Sequence, residues 1–157
     1  MAQNILIAID ESDNSMRAVN YVAKIVQPED TITLFSVLPS PTGACELNDP
    51  SLITIFDKNK ATFCAIEDRK EESIKEFMKK AKKILVDANA GADNIIINIT
   101  KEKISIVKDI LKESHKNKYD NIVMGRRGLS GIKEFFLGSV SQKVVQFAKD
   151  TAVTIVE

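Results

Sequence analysis

The residues of this chain whose types and spacing could do chemistry are concentrated in one segment. Four of the six glycines fall within 14 residues, from Gly125 to Gly138. Glycine lets the backbone approach a ligand closely, so successive N–H groups of such a loop can converge on an anion. Ser139 follows where a helix is expected to begin, and the free N–H groups at a helix start favour phosphate. With Arg126 and Arg127 as cationic donors, the segment predicts a phosphate-binding loop.

Other interpretations of this segment are open. Glycines after a strand can simply turn the chain, and Ser139 could be only the N-cap of the next helix. The segment is not a Walker A loop, because it lacks the GK[ST] ending. It is not a Rossmann GxGxxG motif either, because two residues rather than one separate its first two glycines.

Outside this segment the sequence offers few groups for catalysis, and we predict no catalytic residue. His115, the only histidine, falls near the end of a predicted helix beside lysines, where a solvated side chain is expected. Cys45 and Cys64 are the only cysteines. Without a CxxC pair or a zinc-type cluster, they are interpreted as free thiols in a reducing compartment.

The composition is that of one ordinary domain covering residues 1–157, with 44% hydrophobic residues and a mean hydropathy of -0.08. Basic and acidic residues both number 22, so non-specific binding to nucleic acid or to a membrane is not expected. Residues 1–78 carry a net charge of -6 and residues 79–157 one of +6, so an anionic ligand should prefer the second half. No stretch is long and apolar enough to span a membrane, and the amino terminus lacks a secretory pattern, which predicts a cytoplasmic location.

The elements that must position the glycine segment follow from hydrophobic periodicity. Strands are predicted at 4–9, 31–37, 94–100, 119–125 and 152–156. Helices are predicted at 13–27, over a long stretch ending at a Gly91 C-cap, at 103–117, and after Gly138. Because strands and helices alternate, the fold class is α/β: a single doubly wound domain with a five-stranded, mostly parallel sheet, helices on both faces and expected strand order 3-2-1-4-5.

The segment between the second strand and the long helix is less regular. From Leu38 to about Asp57 no periodicity holds, which predicts a long loop. The helix that follows should be supported on its surface by i,i+4 ion pairs, Glu71 with Lys75 and Glu76 with Lys80. Ligands of such sheets bind beyond the carboxyl ends of the strands, which places Asp10 and the glycine segment at the expected site.

The glycine segment also carries a resemblance. The pattern Gly125-x2-Gly128-x9-Gly138-Ser139 resembles the nucleotide-binding pattern G-x2-G-x9-G-[ST] of the universal stress protein family, in its ATP-binding branch. IAIDES is similar to the family's first strand ending in Asp, and TLFSVLP to its second strand and turn. The similarity extends over essentially the whole chain.

The resemblance implies a role for each site residue. Asp10 would lie beside the ribose or adenosine part of ATP, although it could instead cap the first helix. Val37 would meet adenine through its backbone, and Met124 and Gly125 would continue the adenosine pocket. Donors to the phosphates would come from Gly128, Gly138, Ser139, Val140 and Ser141, with Arg127 as a weaker candidate. Mg²⁺ or Mn²⁺ would accompany the phosphates, and ADP or AMP could replace ATP.

Three hypotheses of function are carried forward. The first is a regulatory module that binds ATP and turns it over slowly, if at all. The second is an ATPase or adenylate-transferring enzyme, which rests on analogy of fold alone. The third is a non-nucleotide interaction protein that forms a homodimer through its final strand, Val153 to Val156, which would be an exposed apolar edge if left unpaired.

Overall fold

A computed structural model describes residues 1–39, 53–127 and 137–157 of the chain. Five strands and four helices alternate, with a short 3₁₀ turn, Ala92–Asn94, before the third strand. The elements are β1 Asn4–Ala8, α1 Asp13–Ile25, β2 Thr31–Leu38, α2 Ile53–Asp87, β3 Ile95–Lys101, α3 Ile106–Asn117, β4 Asn121–Gly125, α4 Ser139–Phe147 and β5 Ala152–Val156.

The five strands form one parallel sheet in the order β3-β2-β1-β4-β5, which confirms the predicted doubly wound α/β fold. Parallel strands need helical crossovers, and these cover both faces. Ile5 and Ile7 of β1 pack with α1 and α2 on one face, whereas Leu6 packs with α3 and α4 on the other. The central strands are therefore buried on both sides, which explains their continuous apolar sequence.

Two helices illustrate how the sequence determines these elements. α1 begins after Ser12, whose side chain accepts a hydrogen bond from the Ser15 N–H at 3.2 Å. The stripe predicted on α2 is buried against the sheet through Ile74, Met78 and Leu85. Side chains spaced three or four residues apart share one helix face, so the rest of α2 is left to charged residues.

Three local predictions were wrong in detail. The predicted loop does not reach Asp57, because α2 begins at Ile53; residues 40–52 lie outside the described part. Gly91 does not end α2: Asn89 adopts the left-handed conformation, with φ of 76°, and the Ala90 N–H closes the helix end on the Leu85 carbonyl at 3.0 Å. Glu71 pairs with Lys75 as predicted, but Glu76 pairs with Lys79 instead of Lys80, each at 2.7 Å.

The helices that the structure describes include none with the length and apolar character needed to cross a bilayer. The cytoplasmic location inferred from the sequence stays a prediction. Cys45 and the side chain of Cys64 lie outside the described residues, so the interpretation of both as free thiols also stays a prediction.

Candidate functional site

A pocket of about 340 Å³ opens at the carboxyl ends of β1, β2 and β4. The strand order reverses beside β1, because the chain leaves β1 to build β2 and β3 on one side and returns to place β4 and β5 on the other. Such a crevice is where doubly wound sheets bind ligands, and the volume lies in the range of small-molecule sites.

The structure brings nearly all of the sequence-predicted site residues together around this pocket. Gly128, the remaining one, lies outside the described residues. The predicted residues that line the pocket are Asp10, Val37, Met124, Gly125, Arg127, Gly138, Ser139, Val140 and Ser141. They come from three different strand ends and one helix start, so only the tertiary fold could assemble them.

Asp10 anchors the connection between β1 and α1. Its Oδ1 accepts hydrogen bonds from the Ser12 N–H at 3.0 Å, from the Ser15 hydroxyl at 2.6 Å and from the Ser12 hydroxyl. Ser12, and not Asp10, is the N-cap of α1, so the alternative role considered for Asp10 is wrong. The second carboxylate oxygen, Oδ2, accepts no hydrogen bond from the described residues and is available to a ligand hydroxyl.

α4 begins at the other polar side of the pocket, and no side chain of the described residues caps it. Its N-cap is Gly138, which has no side chain to offer, and Ser139 is the first helical residue. Ser139 is therefore not the N-cap. The N–H groups of Ser139, Val140 and Ser141 precede the first residue that can bond within the helix, so they are free for an anion.

The start of α4 is held in place by the residue that follows β4. The carbonyl of Arg126 accepts both the Gly138 N–H and the Ser141 hydroxyl, each at 2.9 Å. The hydroxyl of Ser141 also lies 2.9 Å from the Gly138 carbonyl, and the residue is 3% exposed. Ser141 thus positions the helix start, and what it can offer a ligand is its backbone N–H.

The two arginines have different surroundings. Arg126 does not line the pocket; its guanidinium is paired with the carboxylate of Glu157, beyond β5. Arg127 does line the pocket, beside Gly138. Of the two cationic candidates, Arg127 is therefore the one placed to meet an anion at the start of α4.

Gly125 and Gly138 differ in how much space a side chain would find. A Cβ on Gly125 would lie 2.6 Å from the backbone carbon of Asn14 in α1, a distance that real structures do not tolerate. Gly125 therefore allows α1 to pack against the end of β4. A Cβ on Gly138 would lie 3.3 Å from Cα of Arg127, which a small local shift can accommodate.

The rest of the pocket wall is largely apolar. Phe35 and Val37 of β2, Met124 of β4 and Ile106 and Ile110 of α3 lie on the same side of the sheet. An apolar wall next to a cluster of backbone donors suits a ligand with a flat, weakly polar part and an anionic part.

Sequence reasoning missed several lining residues. Glu11, Ser15, Ser36 and Lys70 also line the pocket. Ser15 was detectable, because it follows Asp10 at a spacing that suits the first turn of a helix. Lys70 was not, because it is 60 residues from Asp10 in sequence and only the packing of α2 brings it near.

No group of three or more His, Cys, Asp or Glu side chains that could hold a metal ion occurs within residues 1–39, 53–127 and 137–157. His115 is exposed in the last turn of α3, as predicted, and is not a lining residue.

The fold and the pocket define a class: doubly wound α/β proteins with a ligand crevice at the topological switch point. The family model described as "Usp: Universal stress protein family" matches residues 1–156, and the chain belongs to this family. It is 31% identical to universal stress protein YxiE of Bacillus subtilis (strain 168), with 94% of this chain and 95% of the relative aligned. It is 35% identical to the universal stress protein in the QAH/OAS sulfhydrylase 3′ region of Thermus aquaticus, over 92% of each chain.

Solved structures share the fold at lower identity. Universal stress protein UspA from Lactobacillus plantarum superposes with a TM-score of 0.75 at 20% identity, covering 99% of this chain and 97% of its own. A universal stress protein in complex with cAMP gives 0.63 at 22%, covering 99% and 96%. The universal stress protein from Archaeoglobus fulgidus in complex with dAMP gives 0.59 at 16%, covering 100% and 98%.

Proposed function

We propose that this chain is an ATP-binding regulatory module whose pocket holds the adenosine part against the apolar wall and the phosphates at the start of α4. The observation that carries the proposal is the uncapped start of α4, which opens on the same pocket as Asp10, Val37 and Met124. Backbone N–H groups and the positive end of a helix dipole favour phosphate over neutral ligands.

The roles within the pocket follow from the chemistry of each group. Asp10 Oδ2 accepts hydrogen bonds from ribose hydroxyls, and the backbone of Val37 meets the base. The N–H groups of Ser139, Val140 and Ser141, the Ser139 hydroxyl and Arg127 hold the phosphates, together with Gly128 of the loop. Gly138 donates its own N–H to the Arg126 carbonyl, so its role is to let the phosphates approach closely. Two structural neighbours are complexes with cAMP and dAMP, which supports an adenine nucleotide as the ligand class.

A divalent cation would accompany the triphosphate. Mg²⁺ or Mn²⁺ commonly takes most of its ligands from phosphate and water and few from protein. This pattern agrees with the lack of a three-residue acidic or histidine cluster in the described part of the chain. The cation would be bound with the nucleotide rather than before it.

The experiment begins with purification without added nucleotide, denaturation, and identification of any released small molecule by chromatography and mass spectrometry. ATP is then titrated with Mg²⁺ into the wild-type protein and into the Gly138→Val variant. We expect co-purified ATP or ADP, and a variant that keeps its fold but no longer binds ATP. Equal ATP affinity in the variant, or no binding of millimolar ATP by the wild type, would refute the proposal.

As a second proposal, the chain forms a homodimer through β5, which is an edge strand of the described sheet. β5 pairs only with β4 in the described sheet, and the helices packed against it, α1 and α4, leave large apolar side chains exposed. Phe147 is 55% exposed and Val145 is 46% exposed. Light scattering at micromolar concentration should give twice the chain mass, and a monomer there would argue against pairing of β5.

A further inference from the structure

The exposed face of α3 carries a regular row of lysines. Lys108, Lys112 and Lys116 follow one another at four-residue spacing, which places all three on one face of the helix. They extend over about 12 Å of helix, at a rise of about 1.5 Å per residue. Each of the three is exposed, and we call them the lysine stripe. Their spacing makes them one cationic surface rather than three separate charges.

The lysine stripe differs from the lysines of α2 in its partners. On α2, Lys75, Lys79 and Lys83 each lie 2.7 Å from a carboxylate oxygen of the same helix. No member of the lysine stripe forms an ion pair with another described residue. The three lysines of α2 are therefore neutralised locally, whereas the charge of the lysine stripe is left for a partner.

The two acids of α3 are bonded to other groups of the domain. Asp109 is 7% exposed, and its Oδ2 accepts hydrogen bonds from the backbone N–H groups of Lys103 at 2.8 Å and Ile104 at 3.4 Å. Glu113 Oε1 accepts a hydrogen bond from the side-chain amide of Asn117 at 2.8 Å. Neither carboxylate pairs with the lysine stripe, so this face of α3 stays cationic.

An exposed apolar side chain lies at the start of the same helix. Ile104 is 59% exposed, more than any other large apolar residue of the described ranges except Met1. It precedes Lys108 by four residues, and the hydrogen bond from its N–H to Asp109 holds it beside the first turn of α3. The cationic row and the exposed isoleucine therefore belong to one surface, which offers both charge and apolar area.

Anionic macromolecules differ in what they offer to such a surface. Nucleic acids and acidic polypeptides supply negative charge, but single-stranded nucleic acids are held largely by aromatic side chains, and α3 contains none. A bilayer that contains anionic lipids supplies negative headgroups above an apolar interior. Basic helix faces with apolar side chains beside them bind such an interface, because charge attraction and insertion both contribute.

The zero net charge of the whole chain is compatible with this contact. At physiological salt, charges more than about 8 Å apart are largely screened, so a bilayer senses the residues that face it and not the sum over the chain. The acidic half of the chain supplies α1 and most of α2, which cover the opposite face of the sheet from α3. α3 can therefore approach an anionic surface while the acidic half faces away.

We propose that the lysine stripe and Ile104 form a peripheral binding surface for a bilayer that contains anionic lipids. The three ammonium groups contact headgroup phosphates, and Ile104 enters the boundary between headgroups and acyl chains. No residue of this surface lines the pocket, to which α3 contributes Ile106 and Ile110. The chain therefore has two separate binding regions, one at the strand ends and one on the outer face of α3.

The test measures flotation of the full chain with vesicles of phosphatidylglycerol and phosphatidylcholine in equal amounts, and with vesicles of phosphatidylcholine alone. Binding is expected to the anionic vesicles only, and it should weaken as the salt concentration rises. A triple variant with Lys108→Gln, Lys112→Gln and Lys116→Gln should lose affinity about 100-fold, because each lysine near an anionic surface contributes about five-fold. Ile104→Ser alone should lose about five-fold, because its apolar side chain no longer inserts.

The matched control is a triple variant of α2 with Lys75→Gln, Lys79→Gln and Lys83→Gln. It removes the same charge from a helix whose lysines are already paired, so affinity for anionic vesicles should stay within about three-fold of wild type. Circular dichroism melts verify that both triple variants are folded. An equal loss of binding in the two triple variants would mean that net charge alone governs binding, which overturns the assignment to α3.

Other results would overturn the choice of partner. Failure of the wild type to bind anionic vesicles at low salt, or equal binding to neutral vesicles, would refute the proposal. Duplex DNA and polyglutamate serve as alternative anionic probes. If either binds as tightly as the anionic vesicles, and Ile104→Ser binds vesicles like wild type, the lysine stripe recognises a polyanion in solution and not a bilayer.

Discussion

The connections from β1 to α1 and from β4 to α4 meet at the same pocket, but they differ in how the first N–H groups of the following helix are bonded. In the first, Ser12 caps α1 and Asp10 holds the hydroxyls of Ser12 and Ser15. In the second, the N-cap is Gly138, and no side chain within the described ranges bonds the first N–H groups of α4. Described side chains satisfy helix-start donors in the first connection and leave those of the second without a bond.

This difference shows how a fold divides stability from binding. Side-chain capping contributes to the stability of the folded chain, because the first N–H groups of a helix otherwise lack partners. α4 lacks the stabilisation from a side-chain cap. Its start is held instead by the hydrogen bonds that Gly138 N–H and the Ser141 hydroxyl donate to the Arg126 carbonyl. The helix start is thus fixed in position without using the groups that a phosphate would need.

The largest expected effect comes from making the second connection resemble the first. In Gly138→Asp, an aspartate replaces the N-cap glycine. The backbone at this position has φ of -60° and ψ of 156°, which aspartate adopts readily as an N-cap. Its carboxylate would bond the free N–H groups and repel phosphate, so ATP affinity should fall about 1,000-fold, or about 4 kcal/mol. Calorimetric titration measures the affinity, and a thermal melt should show an intact fold.

Gly138→Ala is the matched control for that variant, because alanine adds a Cβ without a capping oxygen. It should retain affinity within about ten-fold of wild type. Equal loss in Gly138→Asp and Gly138→Ala would mean that space, and not the free donors, governs binding at α4.

A second variant tests whether the two connections support each other. In Gly125→Ala, the new Cβ would meet the Asn14 backbone at 2.6 Å, so β4 and α1 must separate. The free energy of unfolding should fall by about 3 kcal/mol, as for an overpacked core position. Urea denaturation followed by circular dichroism measures this, and a stability equal to wild type would show that α1 can move away at little cost.

The smallest effect should come from removing the cap of the first connection. Ser12→Ala loses the side-chain bond to the Ser15 N–H and should lower the free energy of unfolding by about 1 kcal/mol. Ser15 still holds Asp10, so ATP affinity should change less than about two-fold. Urea denaturation and ATP titration give the two values. A loss of ATP affinity much larger than the loss of stability would show that Ser12, and not Ser15 alone, is needed to hold Asp10 in position for the ligand.

Much of the fold was predictable because periodicity and burial are local signals. Continuous apolar runs such as that of β1 and the stripe of α2 identify the elements, and their alternation leaves few topologies. Gly138 and Ser139 were predicted to lie at a helix start, and they do. The sheet order and the position of the pocket follow from those elements by general rules for parallel sheets.

The features that the sequence did not predict depend on contacts with residues that are distant in the chain. The need for glycine at position 125 comes from the backbone of Asn14, which no spacing within the glycine segment reveals. The place of Lys70 in the pocket lining depends on how α2 packs against the sheet. Asn89, and not Gly91, is the left-handed residue that ends α2. Asparagine also tolerates the left-handed conformation, and Asn89 lies nearer to the end of the helix.

Arg126 joins the start of α4 to the edge of the sheet. Its N–H bonds the Val156 carbonyl at 2.7 Å and its guanidinium pairs with Glu157, while its carbonyl fixes the start of α4. If β5 pairs with a second copy, the same residue is constrained from both sides, and binding and assembly become thermodynamically linked. Linkage is reciprocal: a nucleotide that strengthens dimerisation by some factor must itself bind the dimer more tightly by that factor.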